Sequence, residues 1–316
     1  MTELPDGYTL RPPTLADAAA VTAVQVAADV ALVGESDASE GDRISDWHAA
    51  RFDLRHDAWL VQAPDGLVCA YGGVWDDNPH RELFADTAVH PDHRGRGLSE
   101  LLLDLLEARA REHLAFLAAG EPVSLGVSCW EADSTQRALL ESRGYAKTRE
   151  FRRMVIDESA GCPQPECPSG TAVRTFRRGL DEAAVHEADQ AAFADHFRPI
   201  ILSLPEWERD VFSHPELDLD LWFVAWDGQR VAGMVRASEL NELGYVDVLG
   251  VPRPWRGRGL GRALLLHAFA ALRDRGHTTV VLGVDAENPT GAYHLYESVG
   301  MRDSRTMEFL EKGLRA

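Results

Sequence analysis

The chain has 316 residues, 45% of them hydrophobic, with 32 Lys and Arg against 51 Asp and Glu, a formal net charge of −19. That size and apolar content suit two domains with real cores, and so acidic a surface repels nucleic acid and anionic membranes while attracting cationic amines. No apolar run reaches the ~20 residues needed to span a bilayer, and residues 1–7 lack a basic region followed by an apolar one, so a cytoplasmic protein is expected.

In chain order, the first signals are a short strand pattern carrying Arg11, a helix-like stretch over residues 16–33 and a loop over 34–51. Trp59-Leu60-Val61-Gln62 then reads as a strand that closes at Asp65-Gly66. A strand-like run over 83–89 leads into Arg94-Gly95-Arg96-Gly97-Leu98-Ser99 and a helix-like run over 100–110. Leu139 to Gly144 spell Leu-Leu-Glu-Ser-Arg-Gly. The most Pro-rich stretch follows, between Cys162 and Cys167, and marks a linker over 158–170.

The second half repeats these signals in the same order. Arg174 stands 163 residues after Arg11, and Trp222-Phe223-Val224 stands 163 after the Trp59 run. A strand-like run over 245–251 enters Arg256-Gly257-Arg258-Gly259-Leu260-Gly261, 162 residues after the first such loop, and a helix-like run over 262–272 follows. Leu295-Tyr296-Glu297-Ser298-Val299-Gly300 trails its counterpart by 156. Ordered matches at one period indicate duplicated domains, expected at 1–157 and 171–316.

The loop chemistry suits an anion. A helix start presents unpaired backbone N–H groups and partial positive charge, and glycines let a phosphate approach that backbone. Arg256, Arg258 and Arg262 add charge around it, which fits a pyrophosphate better than a lone carboxylate. A plain basic capping turn accounts for one such loop equally well; the duplication shifts the balance. The alternating Gly257, Gly259 and Gly261 are not Gly-x-Gly-x-x-Gly, so a dinucleotide site and hydride chemistry drop out.

With these residues on the page, the chain resembles the GNAT acyl-CoA N-acyltransferases in tandem form, across both halves. The resemblance implies two α/β domains, each a twisted mixed sheet flanked by helices, with acetyl-CoA as cosubstrate and no metal. It implies that Arg256 to Gly261 hold the coenzyme A pyrophosphate and that Leu249, Gly250 and Val251 offer backbone groups to the pantetheine, as an added strand would. A backbone N–H near Leu249 is then placed to stabilise the oxyanion of acyl transfer. Asn288 falls where the family contacts pantetheine, and Tyr296 where a phenol protonates the departing thiolate. The matching first-half cradle is Val89, Arg94, Gly95, Arg96 and Gly97, with Ser99 in place of the closing Gly.

Counting back from Gly144 sets Leu140 opposite Tyr296 and Ala132 opposite Asn288, so the first domain is expected to be catalytically degenerate. A misplaced gap would instead leave the polar role to Asp133 and Ser134. For the base that deprotonates the amine, the family position is Tyr245 here; Asp247, two residues on and on the same strand face, is the candidate, with Glu242 and Glu239 nearby. A solvated or structurally paired Asp247 is the competing reading.

Cys69, Cys129, Cys162 and Cys167 lack the second short-spaced pair a zinc site needs, and His90 and His93 read as local contacts. The loops over 34–51 and 197–216, the latter with Arg198, Glu206, Trp207 and His214, are expected to set substrate choice. The expected acceptor is the primary amine of a small molecule, in a monomer whose tandem domains imitate a dimer; a protein acceptor, or a non-enzymatic acyl-CoA sensor or scaffold, is the alternative.

Overall fold

The computed structural model describes residues 3–157, 163–240 and 242–315; Cys162 and part of the expected linker lie outside them. In chain order the main elements are β1 (Thr9–Arg11), α1 (Ala18–Val33), α2 (Glu40–Trp47), β2 (Ala58–Gln62), β3 (Val68–Asn78), β4 (Glu82–Val89), α3 (Leu98–Glu112), β5 (Ser124–Trp130), α4 (Ser134–Ser142) and β6 (Ala146–Asp157). They continue with β7 (Thr171–Thr175), α5 (Glu182–Phe193), α6 (Leu204–Phe212), β8 (Trp222–Asp227), β9 (Arg230–Leu240), β10 (Leu243–Gly250), α7 (Leu260–Asp274), β11 (Thr279–Asp285), α8 (Ala292–Ser298) and β12 (Arg302–Gly313).

These elements form two compact units with the same plan. In the first, β1 to β4 pair antiparallel, β4 and β5 run parallel, and residues 307–313 of β12 close the sheet antiparallel to β5. In the second, β7 to β10 pair antiparallel, β10 and β11 run parallel, and residues 151–157 of β6 pair antiparallel to β11. Helices cover both mixed sheets, as the sequence implied.

The units are not the contiguous halves that the repeat marks. The first holds residues 1–150, 213–215 and 307–316, and the second 151–212 and 216–306. Burial supplies the reason. Leu310 is 1% exposed and joins Leu125, Val127 and Tyr145 in the first core, whereas Met154 and Ile156 join Val280, Leu282 and Phe269 in the second. Polar pairing fixes the register: the buried Glu308 carboxylate meets Arg137 at 2.7 Å and Lys147 at 2.9 Å, and an unpartnered carboxylate there would be costly. The repeat records where each half of the sequence begins; the packing decides which strand completes which sheet.

One helix comes near the length a membrane span needs. Leu15–Val33 is long and apolar enough to cross a membrane by length and composition alone. In the fold it is a wall of the first core, with Ala18 and Val21 packed among Leu60, Tyr71 and Trp75, and its apolarity reflects small residues against a sheet.

Duplication also shows in ion pairs that the sequence did not reveal. Arg11 forks onto Asp17 at 2.9 and 2.7 Å, and Arg174 onto Asp181 at the same place in the second unit, its Nη2 at 2.8 Å. Each pair ties the first strand to the start of the first helix, and Arg11 holds the Asp17 carboxyl far below the usual range.

Candidate active site

The second unit's sheet opens where its parallel strands part. β10 and β11 pair only at Gly244 with Val280 and Tyr245 with Val281, after which β10 continues along β9 and β11 along β6. Past Tyr245, backbone groups of both strands therefore face a gap instead of each other. A cavity of about 530 Å³ fills this gap, walled by residues 246–251 of the β10 side and 282–285 of β11. Leu249, Gly250 and Val251 lie along it.

Asp247 lies on the same wall at a bulge. The β9–β10 register shifts between Val246 and Val248, which leaves Asp247 as the extra residue, turned to an exposed position in the cavity lining. Bulges re-aim side chains in this way. Its Oδ1 accepts from Ser238 Oγ at 2.9 Å, and Arg236 Nε stands 3.9 Å from Oδ2, so the carboxylate is oriented yet reachable.

At one end of the cavity sits the basic glycine loop. Gly257 and Gly259 have φ of 72° and 83°, and a Cβ at either would meet open space, so their lack of a side chain serves the backbone turn and close approach. Gly259 caps α7 without any side-chain hydrogen bond, which leaves the helix's first amides facing the cavity end. Leu260, Gly261 and Arg262 also line it, whereas Arg258 is exposed outside the lining. Gly261 has a different reason to be glycine: a Cβ would come within 3.1 Å of Leu295 Cδ2, so it lets α8 lie close to α7.

Arg256 lines the cavity with its guanidinium already engaged. Nε donates to Val251 O at 2.8 Å, Nη2 to Ala192 O at 2.9 Å, and Nη1 to the Asp195 carboxylate at 3.0 Å. Asp195 also takes Arg253 through a second fork, and the two arginines pull its carboxyl down to about 2. Arg256 thus clamps the end of α5 to the end of β10, which shapes the loop. Asp195, Phe193 and His196 at this corner, and Phe151 from β6, were missed in the sequence because only long-range packing brings them there.

At the opposite wall, α8 carries Tyr296 into the lining. The ring is 7% exposed, and burial pushes its phenol up to about 12. Asn288 borders the same space; its Oδ1 accepts from Thr290 N at 2.8 Å and Thr290 Oγ1 at 2.6 Å, so the amide NH₂ is what it can offer a ligand.

The first unit has the same frame with different contents. Gly95 and Gly97 adopt φ of 72° and 80°, and Gly97 caps α3 without a side-chain bond. Arg96 reaches only Asp92 O at 3.4 Å, and Arg94 faces the Asp133 carboxylate at 3.9 Å. Val89 is buried in the core. Leu140 and Tyr296 are equivalent, because Tyr145 N donates to Leu140 O and Met301 N to Tyr296 O, each at 3.1 Å. The sequence alignment therefore has no misplaced gap at this point, and Asp133 serves instead as the α4 cap. Across the parting of β4 and β5, Gln136 Nε2 bonds Thr87 Oγ1 at 3.2 Å, while Trp130 at the end of β5 donates to the buried Asp29 at 2.8 Å.

Of the loop residues expected to choose the substrate, Trp207 borders a 140 Å³ cavity, together with Val211 of the same loop and Asp189, Trp222, Met234, Arg236 and Val248. Glu206 caps α6 through Ser203, and His214 pairs with Asp42 at 3.0 Å in the first unit.

Fold and site together define an acyl-transfer protein, and the comparisons agree. The acetyltransferase (GNAT) family matches residues 30–126 and 183–301, once in each half. A GCN5-related N-acetyltransferase from Sphaerobacter thermophilus superposes with a TM-score of 0.79 at 33% identity, covering 99% of this chain and 98% of that one. A tandem GNAT protein from the clavulanic acid biosynthesis pathway shares the fold, with a TM-score of 0.72 at 16% identity over 98% and 99%. The chain belongs to the GNAT family and is a tandem GNAT-type N-acetyltransferase. Among named relatives it is similar to the mycothiol acetyltransferases of Streptomyces bingchenggensis, 33% identical over 81% of this chain and 80% of that protein, and of Salinispora arenicola, 31% identical over 92% and 91%.

Proposed function

We propose that the second unit transfers an acetyl group from acetyl-CoA directly to the primary amine of a small cytoplasmic metabolite, and that the first half of the sequence, 1–157, is a catalytically silent partner of 171–316. The observation that carries the proposal is the meeting of an uncapped helix start, two parted strand edges, a carboxylate and a buried phenol around one cavity. The pyrophosphate would rest on the amides from Gly257 to Gly261 with Arg258 and Arg262 beside it, and the pantetheine along Leu249 to Val251 with Asn288 opposite.

The reaction follows from these placements. Asp247 takes a proton from the ammonium form of the acceptor, directly or through water, and the amine attacks the thioester carbonyl. A β10 backbone amide near Leu249 holds the oxyanion. When the intermediate collapses, the C–S bond breaks, Tyr296 gives its proton to the leaving thiolate, and the second proton of the attacking nitrogen passes through water to restore the phenol. A phenol at about 12 looks mismatched to a thiol of ordinary pKa near ~8.5, but a thiolate formed in the same dry space is penalised too. Burial is the main cause that carries the Cys69 and Cys129 thiols of this chain up to about 11 and 12, so it moves a thiol in the same direction as the phenol.

For the acceptor, the similarity to mycothiol acetyltransferases over most of both chains favours the amine precursor of mycothiol. The test is amine-dependent release of CoA thiol across simple amines, aminoglycosides, aminosugars and the mycothiol precursor. Selective turnover of the mycothiol precursor supports the reading; turnover confined to peptide amines removes it.

A further inference from the structure

Among the described residues, one trio of ligand-bearing side chains stands apart from the acyl-transfer cavity, in the first unit: Asp76, His80 and His113. Three elements converge there. Asp76 lies near the end of β3, where the register against β4 shifts between Asp76 and Asn78. His80 sits in the β3–β4 turn, and His113 follows the last residue of α3.

Their donor atoms point at one another. His80 Nδ1 is 2.9 Å from His113 Nδ1, and Asp76 Oδ2 is 3.5 Å from the first and 3.9 Å from the second. A tetrahedral zinc with ligands at 2.0–2.1 Å sets its donors about 3.3 Å apart, and the three separations bracket that value. A hydrogen bond between the two imidazoles uses one proton and accounts for one side of this triangle; the carboxylate's approach to both rings is an ion pair when a ring is protonated and a third ligand direction when both are neutral.

The surroundings hold the triangle in place. Asp76 Oδ1 accepts the His80 backbone N–H at 2.8 Å, which keeps Oδ2 toward the rings. The His80 ring stacks on Phe116 at 4.4 Å and 16°, fixing its plane. His80 has φ of 59°, a conformation that is strained for a non-glycine residue and that turns its side chain back onto Asp76. His113 caps the C-terminus of a 15-residue helix, where the macrodipole favours a cation. Asp76 and His113 are buried and His80 is a third exposed, which gives a metal a way in and a water the fourth position.

We propose that Asp76, His80 and His113 form a divalent transition-metal site of the zinc class, a three-ligand staple that fastens the β3–β4 hairpin to the end of α3. It lies outside the catalytic cavity and acts on the first unit's stability, giving a domain without catalytic side chains a structural function of its own.

The test uses the untagged full chain, stripped with a chelator and titrated with Zn²⁺ against a chromophoric competitor, with Co²⁺ absorption to report coordination. One equivalent is expected to bind, with a tetrahedral cobalt spectrum and a higher Tm. His80→Gln, at the more exposed ligand, should weaken binding by at least roughly a hundredfold and abolish the Tm gain, since loss of a mere supporting group already costs up to that much. Asp76→Asn should do likewise, and His90→Gln should leave the stoichiometry intact. No binding at micromolar zinc, or equal binding in wild type and His80→Gln, overturns the proposal.

Discussion

Tyr296 and Leu140 occupy equivalent turns, and what the first has and the second lacks is a phenol, with its hydroxyl, in a buried place. That hydroxyl was legible in the sequence because the segment around it repeats. Its ionisation was not, since burial alone sets it. The phenol's pKa is raised from its ordinary 10 to about 12, so the neutral form is the one folding favours. The stability this lends is present below pH 10 and fades as pH climbs towards 12. The turnover rate should accordingly hold steady through pH 10, and a kcat profile over pH 7–11 that breaks near 9 would show a donor other than Tyr296. Arg256 teaches the opposite lesson. Its charge was legible, but two of its three acceptors lie more than sixty residues back on α5 and just beyond it, and nothing in the motif announces them. If Arg256 works as a clamp, Arg256→Lys should raise the Kd for CoA about as much as Arg256→Ala, because an ammonium cannot span three acceptors. Full retention of affinity in the lysine variant would return the residue to a point-charge role.

The strand, glycine loop and helix were readable as a block from spacing, as were the glycines at positive φ. The parting of β10 from β11 and the bulge at Asp247 were not, because both depend on pairing register, which no local pattern encodes. Equal backbone geometry in the two loops allows a matched comparison. Gly259→Ala and Gly97→Ala each force a Cβ into the left-handed region at about 1–2 kcal/mol, so both should lower Tm alike. Affinity for acetyl-CoA, measured by calorimetry, should fall in Gly259→Ala alone. Gly261→Val tests the seating of α8: its side chain strikes Leu295, next to Tyr296, and kcat should drop more than affinity.

At the scale of the molecule, the duplication could be counted from the sequence, whereas the exchange of closing strands could not. Leu310 belongs by number to the second half and by burial to the first core. Leu310→Ala should cost about 2–5 kcal/mol, the usual range for emptying a well-packed leucine site. Hydrogen exchange should place the loss in β4 and β5 and spare β10 and β11; the reverse pattern would refute the assignment of this strand. The central claim is that the chemistry resides in the second unit's cavity with Tyr296 as the acid. Its most direct test is steady-state turnover of acetyl-CoA with the best amine, for wild type and Tyr296→Phe, alongside acetyl-CoA titrations. A fall in kcat of about 10²-fold or more with an unchanged Kd is the predicted result. Undiminished turnover in the Phe variant would contradict the account.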